Sequence, residues 1–191
     1  MKGMSTKLKD VLILEPQLFG DHRGYFMESF NQKVLDKWGL TTDFIQDNQS
    51  LSTEAGTLRG LHFQLNPKAQ TKIVRCLSGA IYDVIVDIRK GSPTYGKWIG
   101  VILSKYNHRQ LVVPKGFAHG FCTLVPDTVI AYKVDDYYSP EYDRGILWND
   151  PTLGIDWPTT KPLLSEKDKL HPPLAEANLN FIYESNEVKI T

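Results

Sequence analysis

Short runs of apolar and β-branched residues, cut by turn residues, recur through most of this chain, which is the pattern of short strands. Val11 to Glu15 predicts a short strand closed by Pro16. Phe19 to Gly24 is rich in glycine and charge and predicts a turn, after which Tyr25 to Phe30 resumes as strand. The period then changes. Val34, Leu35 and Trp38 recur at helical spacing, with Asn31 as N-cap and Gly39 as stop, so residues 32–38 form a short amphipathic helix. Phe44 to Ser50 is polar but extended. From Thr57 onward strand follows strand, at 58–65, Lys72 to Leu77, Gly79 to Arg89, Trp98 to Leu103, Gln110 to Val113, Gly120 to Leu124 and Thr128 to Val134. Turn residues such as Gly91-Ser92-Pro93 and Pro114-Lys115-Gly116 separate them. Many short strands with one helix before them indicate an antiparallel sandwich or barrel. After Val134 the regularity falls away. Ser165 caps a short helix start, and residues 180–191 either add a strand or form a loose tail.

The stretch Arg59-Gly60-Leu61-His62-Phe63-Gln64 carries the most concentrated chemistry. Alternation places Gly60, His62 and Gln64 on one face and Leu61, Phe63 and Leu65 on the other, so a wet cavity is expected on the histidine side. Arg59 has the wrong parity to join His62 unless Gly60 marks a bulge.

Composition narrows the classes. With 191 residues, one domain over 1–191 is expected, with a core at about 11–174 and a C-terminal extension at about 175–191. Zero net charge and no basic run argue against nucleic-acid binding. No apolar stretch reaches membrane-spanning length, and Met1 to Asp10 lacks the apolar segment of a signal peptide. Cys76 and Cys122 sit in apolar runs without metal spacing, which suits a reducing, cytoplasmic setting.

Two motifs resemble those of the cupins, which build a double-stranded β-helix or jelly roll: Gly56-x5-His62 and Pro114-x-Gly116-x2-His119. In metal-binding cupins a second histidine and a glutamate follow the first histidine. Here Gln64 holds the second position, and Lys68 and Ala69 stand near the third. Two ligands of four speak against a metal. A fuller set of segments closely resembles the dTDP-4-dehydrorhamnose 3,5-epimerases. It comprises Phe19-Gly20-Asp21-x-Arg23-Gly24-x-Phe26-x-Glu28-Ser29-Phe30, Gln46-Asp47-Asn48, Leu58 to Gln64, Lys72-x-Val74-Arg75-Cys76, Asp87 to Thr94, Pro114 to Phe121 and Trp148-Asn149-Asp150-Pro151.

That resemblance implies a mainly β cupin-type jelly roll with short flanking helices, working as a homodimer whose N-terminal strands cross between subunits, with no cofactor and no metal. The implied substrate is a dTDP-linked 4-keto-6-deoxy sugar, epimerised at C3 and C5. His62 is the implied base, Asp168 its orienting partner, Tyr132 the acid and Lys72 the enolate stabiliser. A bland reading stands beside each: a helix-capping Asp168, a core Tyr132, a solvated Lys72. His119 is either a substrate contact or a relic of the metal site. Arg23, Glu28 and Arg59 are implied nucleotide contacts, and Phe19 and Phe26 flank the base. Gln46, Asp47 and Asn48 read the thymine edge or sugar hydroxyls. Asp143 is the nearest candidate for an acidic contact that the family carries as glutamate, one methylene longer, and Lys167 is a weaker phosphate or sugar contact. A single-position epimerase, a non-catalytic sugar-nucleotide binder and a metal-dependent cupin are the rivals.

Overall fold

A computed structural model describes residues 1–184. The strands, in chain order, are β1 (Lys2–Ser5), β2 (Leu12–Glu15), β3 (Leu18–Asp21), β4 (Gly24–Met27), β5 (Gln46–Ser52), β6 (Leu58–Gln64), β7 (Lys72–Ser78), β8 (Ala80–Asp87), β9 (Trp98–Ser104), β10 (Gln110–Val113), β11 (Phe117–Thr123), β12 (Thr128–Val134) and β13 (Asp143–Gly145). Two short helices, α1 (Gln32–Asp36) and α2 (Glu166–Lys169), flank them.

The strands form two antiparallel sheets, ordered β1-β2-β10-β7-β12-β5 and β13-β6-β11-β8-β9. Between the sheets, Val74, Leu111, Val113 and Ile130 of the first pack against Ile81, Ile85, Leu103 and Phe117 of the second. Alternation along each strand supplies these inward positions. The outer face of the second sheet is apolar too. Leu61, Phe63, Val84 and Val86 are covered by Ile146, Leu153, Leu174, Leu179 and Phe181 of the C-terminal segment. Burial on both faces explains why β8 reads as a nearly continuous apolar run. The first sheet is covered outside by α1, with Leu35 packed on Leu12, Leu14, Ile73 and Val112.

Several expectations are corrected. Residues 18–27 are a projecting two-stranded hairpin, not a turn followed by a strand to Phe30. Asn31 caps no helix amide with its side chain, because its amide donates to Glu28 at 2.8 Å, and α1 ends at Asp36. Gly39 does end that turn, at a positive φ of 78°. The strand expected over 120–124 begins earlier, at Phe117. Residues 180–184 are neither full strand nor loose: Phe181 is buried, and Ile182 makes one bridge to Lys90. The rest of that expected tail, 185–191, lies outside the described residues. No helix of the described residues is long and apolar enough to cross a membrane.

Candidate active site

One end of the inter-sheet space is apolar and the other is wet. The wet end begins with an irregularity in β6. His62 pairs with His119 on β11, but Arg59 pairs with Phe121, so three steps along β6 answer two along β11. This is the bulge that Gly60 suggested, and only glycine fits it. Gly60 has φ +129°, and a Cβ there would lie 2.5 Å from Gly120 Cα and 2.9 Å from the His119 carbonyl oxygen. The extra residue brings Arg59 and His62 to the same cavity, of about 540 Å³. Lys72, His119, Tyr132, Lys167 and Asp168 line it with them.

Asp168 reaches this cavity through a local device. Leu163 bridges Thr57 and exchanges backbone hydrogen bonds with Gly56 and Leu58, which holds the segment before α2 against the start of β6. Ser165 then caps α2, its hydroxyl accepting the Asp168 amide at 3.1 Å. The Asp168 carboxylate is thus free to turn inward, where Oδ1 lies 2.5 Å from His62 Nε2. With Nε2–H donated to a carboxylate, the imidazole lone pair is on Nδ1. Desolvation pushes the His62 pKa below its ordinary value, assisted by Lys72 and Lys167 and opposed by Asp168. His62 is therefore neutral at pH 7, the form in which an imidazole can accept a proton. Burial alone would raise the Asp168 carboxyl, but contacts with His171 and His62 hold it well below the usual carboxylate range.

Lys72 opens β7 on the inward parity. Desolvation lowers its ammonium pKa to about 8, with Asp143 and Asp83 offsetting part of the effect. Tyr132 shares inward parity with Ile130 and is half-buried in the cavity wall. Burial raises its phenol pKa, so the hydroxyl keeps its proton at neutral pH. His119, opposite His62, is buried and sits 2.5 Å from Asp83 Oδ1. An adjoining cavity of about 180 Å³ shares His62, Lys72 and Tyr132 and is lined by Gln46, Asn48, Gln64, Tyr138 and Asp143. Asp143 accepts from the Tyr138 hydroxyl at 3.0 Å and pairs with Lys167, so these three form one cluster at the cavity wall.

Gln64 lies deep in its loop contacts. Its amide donates to Lys68 O at 2.6 Å, and its carbonyl accepts from Ser139 N at 2.7 Å, so it fixes loops. A group of three potential ligands does exist elsewhere: atoms of His62, Asp168 and His171 lie within 4.8 Å of one another. Yet the His62–Asp168 separation of 2.5 Å is a hydrogen-bond length. Two ligands of a tetrahedral zinc stand about 3.3 Å apart, so the pair is spaced for a proton rather than an ion.

Some expected residues stand apart. Phe19, Arg23 and Phe26 lie on the β3–β4 hairpin and line their own shallow groove, not the His62 cavity. Arg23 pairs with Asp21 at 2.6 Å, and Glu28 with Asn31. Within one chain they touch no cavity group. Asp47 faces away from the His62 cavity: Gln46 and Asn48 line the adjoining cavity, while Asp47 pairs with Lys133 at 2.8 Å. Sequence reasoning missed Asp83, Tyr138 and His171. An aspartate in the middle of the apolar β8 run was a signal for the first; nothing marked the other two.

Fold and cavity together define a cupin-type jelly roll with a proton-transfer site. Comparison with known proteins makes this specific. The family model for dTDP-4-dehydrorhamnose 3,5-epimerase matches residues 5–176. The dTDP-4-dehydrorhamnose 3,5-epimerase of Shigella flexneri is 56% identical over 169 residues, 88% of this chain and 93% of that protein. A crystal structure of the Bacillus anthracis enzyme, with TDP and PPi bound, is 62% identical with a TM-score of 0.88, covering 90% of this chain and 98% of that one. The Legionella pneumophila enzyme, solved in complex with dTDP-4-keto-L-rhamnose, is 45% identical with a TM-score of 0.92, over 96% of this chain and 99% of that one. This chain belongs to the dTDP-4-dehydrorhamnose 3,5-epimerase family and is an isomerase.

Proposed function

We propose that the protein inverts C3 and C5 of dTDP-4-dehydro-6-deoxy-D-glucose, giving dTDP-4-dehydro-L-rhamnose, by proton transfer alone. Both carbons flank the C4 ketone, so loss of either proton gives an enolate. His62 Nδ1 takes the proton from one face, and the Asp168 carboxylate stabilises the imidazolium that forms. The Lys72 ammonium holds the enolate oxygen. Tyr132, kept protonated by burial, returns a proton to the other face, which inverts the centre. His119, held by Asp83, contacts the sugar. Arg59 takes the diphosphate, with Lys167 and Asp143 at the same wall, and Gln46 and Asn48 read the nucleoside. No cofactor is required, because the ketone is already in the substrate. The observation that carries this reading is the 2.5 Å His62–Asp168 pair in one cavity with Lys72 and Tyr132.

The same reading makes the chain one working unit that acts as a homodimer in the cytoplasm. The hairpin supports the dimer. Phe19 and Phe26 are 56% and 70% exposed, and burying each on a partner is worth up to about 1.5–3 kcal/mol. β5 leaves a sheet edge open, and Leu51 and Leu77 are exposed. In such a dimer Phe19, Arg23, Phe26 and Glu28 complete the partner's nucleotide site. The buried free thiols of Cys76 and Cys122, both pushed up to about 11, suit a reducing compartment.

Incubation with the keto sugar in deuterated water tests the activity. Deuterium at both C3 and C5 of an inverted product is expected. Exchange and inversion at one carbon would make this a single-position epimerase. Binding without exchange at either carbon would make it a non-catalytic module.

A further inference from the structure

One imidazole behind the His62–Asp168 pair, His171, takes no part in the proton transfers above. His171 follows α2, and its backbone is fixed by Pro172 and Pro173, with the Pro172 carbonyl accepting from Leu147 N at 2.8 Å. Its ring lies over Gly145, where any side chain would collide with it. Gly145 is the cross-strand partner of His62. The two imidazoles consequently meet edge to face, with centroids 5.5 Å apart and planes at 79°. His171 Nε2 lies 3.5 Å from the same Asp168 Oδ1 that His62 uses, and its side chain is only 10% exposed. At that distance the alignment makes no hydrogen bond, and Nε2 is left without a partner among the described residues. A buried, unpartnered ring nitrogen facing a catalytic carboxylate calls for an explanation.

We propose that His171 is a positioning residue for the His62–Asp168 pair: its ring holds the His62 ring edge-on, and its Nε2–H shares the charge of Asp168 Oδ1. The inference rests on His62 being the base. A carboxylate oxygen facing two imidazoles pulls less strongly on the proton of either. His171 thus keeps His62 easier to deprotonate, which returns the base to its working form after each transfer. The charged and titratable groups around His62 are Asp168 and Lys167 from α2, Lys72 from β7, Tyr132 from β12, His119 from β11 and Asp143 from β13, besides Arg59 on its own strand.

The test is an NMR titration of the His62 ring in the full-length protein, with wild type, His171→Phe and His171→Gln side by side. Phenylalanine keeps the ring and removes the N–H; glutamine keeps a donor and removes the ring. The His62 pKa should rise by roughly half to one pH unit in His171→Phe and return towards wild type in His171→Gln. The acidic limb of kcat/KM should move to higher pH with it, while KM changes little. An unshifted titration in His171→Phe, or equal shifts in both variants, would overturn the proposal. If the phenylalanine variant does not fold, His171→Ala replaces it, with the same rise required against glutamine. The titration needs no substrate. Absent turnover by wild type would therefore count against the epimerase reading, whereas an unshifted His62 in an active enzyme would count against the role of His171.

Discussion

The cavity wall and the β3–β4 hairpin carry the same kinds of residue in opposite states. In the wall, three ionisable groups are held by other elements: His62 by Asp168, His119 by Asp83, Lys167 by Asp143. On the hairpin, Arg23 is bonded only two residues away to Asp21, and the aromatic rings of Phe19 and Phe26 face water. The wall is thus a site organised by one chain's own core. The hairpin has the composition of a binding surface without a surface to bind. An arm that exposes this much apolar area has the character of an interaction surface.

The comparison can be broken from either side. The largest effect is expected in the wall. His62→Ala should lower kcat by about 10²–10⁴-fold with little change in KM, and Asp168→Asn should approach the same loss by disturbing the tautomer and orientation of the ring. Steady-state kinetics on folded variants measures both. If either retained wild-type kcat, the cavity would not be where protons move. Next comes Lys72. Its ammonium is charged below pH about 8 and lost above it, so enolate stabilisation should fade as pH rises through that value. Lys72→Met should lower kcat by roughly 10²–10³-fold, in the range of a lost oxyanion donor, and abolish the basic limb near pH 8. A limb that persists in Lys72→Met would belong to another group. The smallest effect is at Asp47, whose partner is Lys133 on the outer face. Asp47→Asn should leave KM unchanged and alter stability by less than about 0.5 kcal/mol. A tenfold rise in KM would put Asp47 back at the nucleotide.

The sequence made the middle of this molecule legible and its ends much less so. β10 and β12 match their expected limits because runs rich in β-branched residues are bounded by proline, glycine and aspartate turns. The Gly60 bulge could be anticipated because a lone glycine broke a sheet pattern next to a residue of the wrong parity. The hairpin was hidden by Gly20 and Gly24, whose turn signals masked the short paired strands around them. β1 and β13 are too short for any period to show, and Ser5 and Asp143 are unremarkable strand residues. Asp47 shows what a motif leaves open: it names neighbours, but a strand sends neighbours to opposite faces. The Asp83–His119 and His62–Asp168 pairs join residues 36 and 106 positions apart. No local pattern encodes such distances. Resemblance supplied the second pair, and His171 only became visible once Gly145 was placed opposite His62.

We expect wall and hairpin to form one site from two chains, and subunit mixing tests this. His62→Ala lacks the base but keeps the hairpin. A variant carrying both Arg23→Ala and Phe26→Ala keeps the base but lacks the arm. Each alone should be nearly inactive at low substrate. Unfolded and refolded together in equal amounts, they should recover roughly a quarter of wild-type activity, because half the dimers are mixed and each mixed dimer has one intact site. Activity no greater than the sum of the separate variants would contradict a shared site, and would return the hairpin to the chain that bears it.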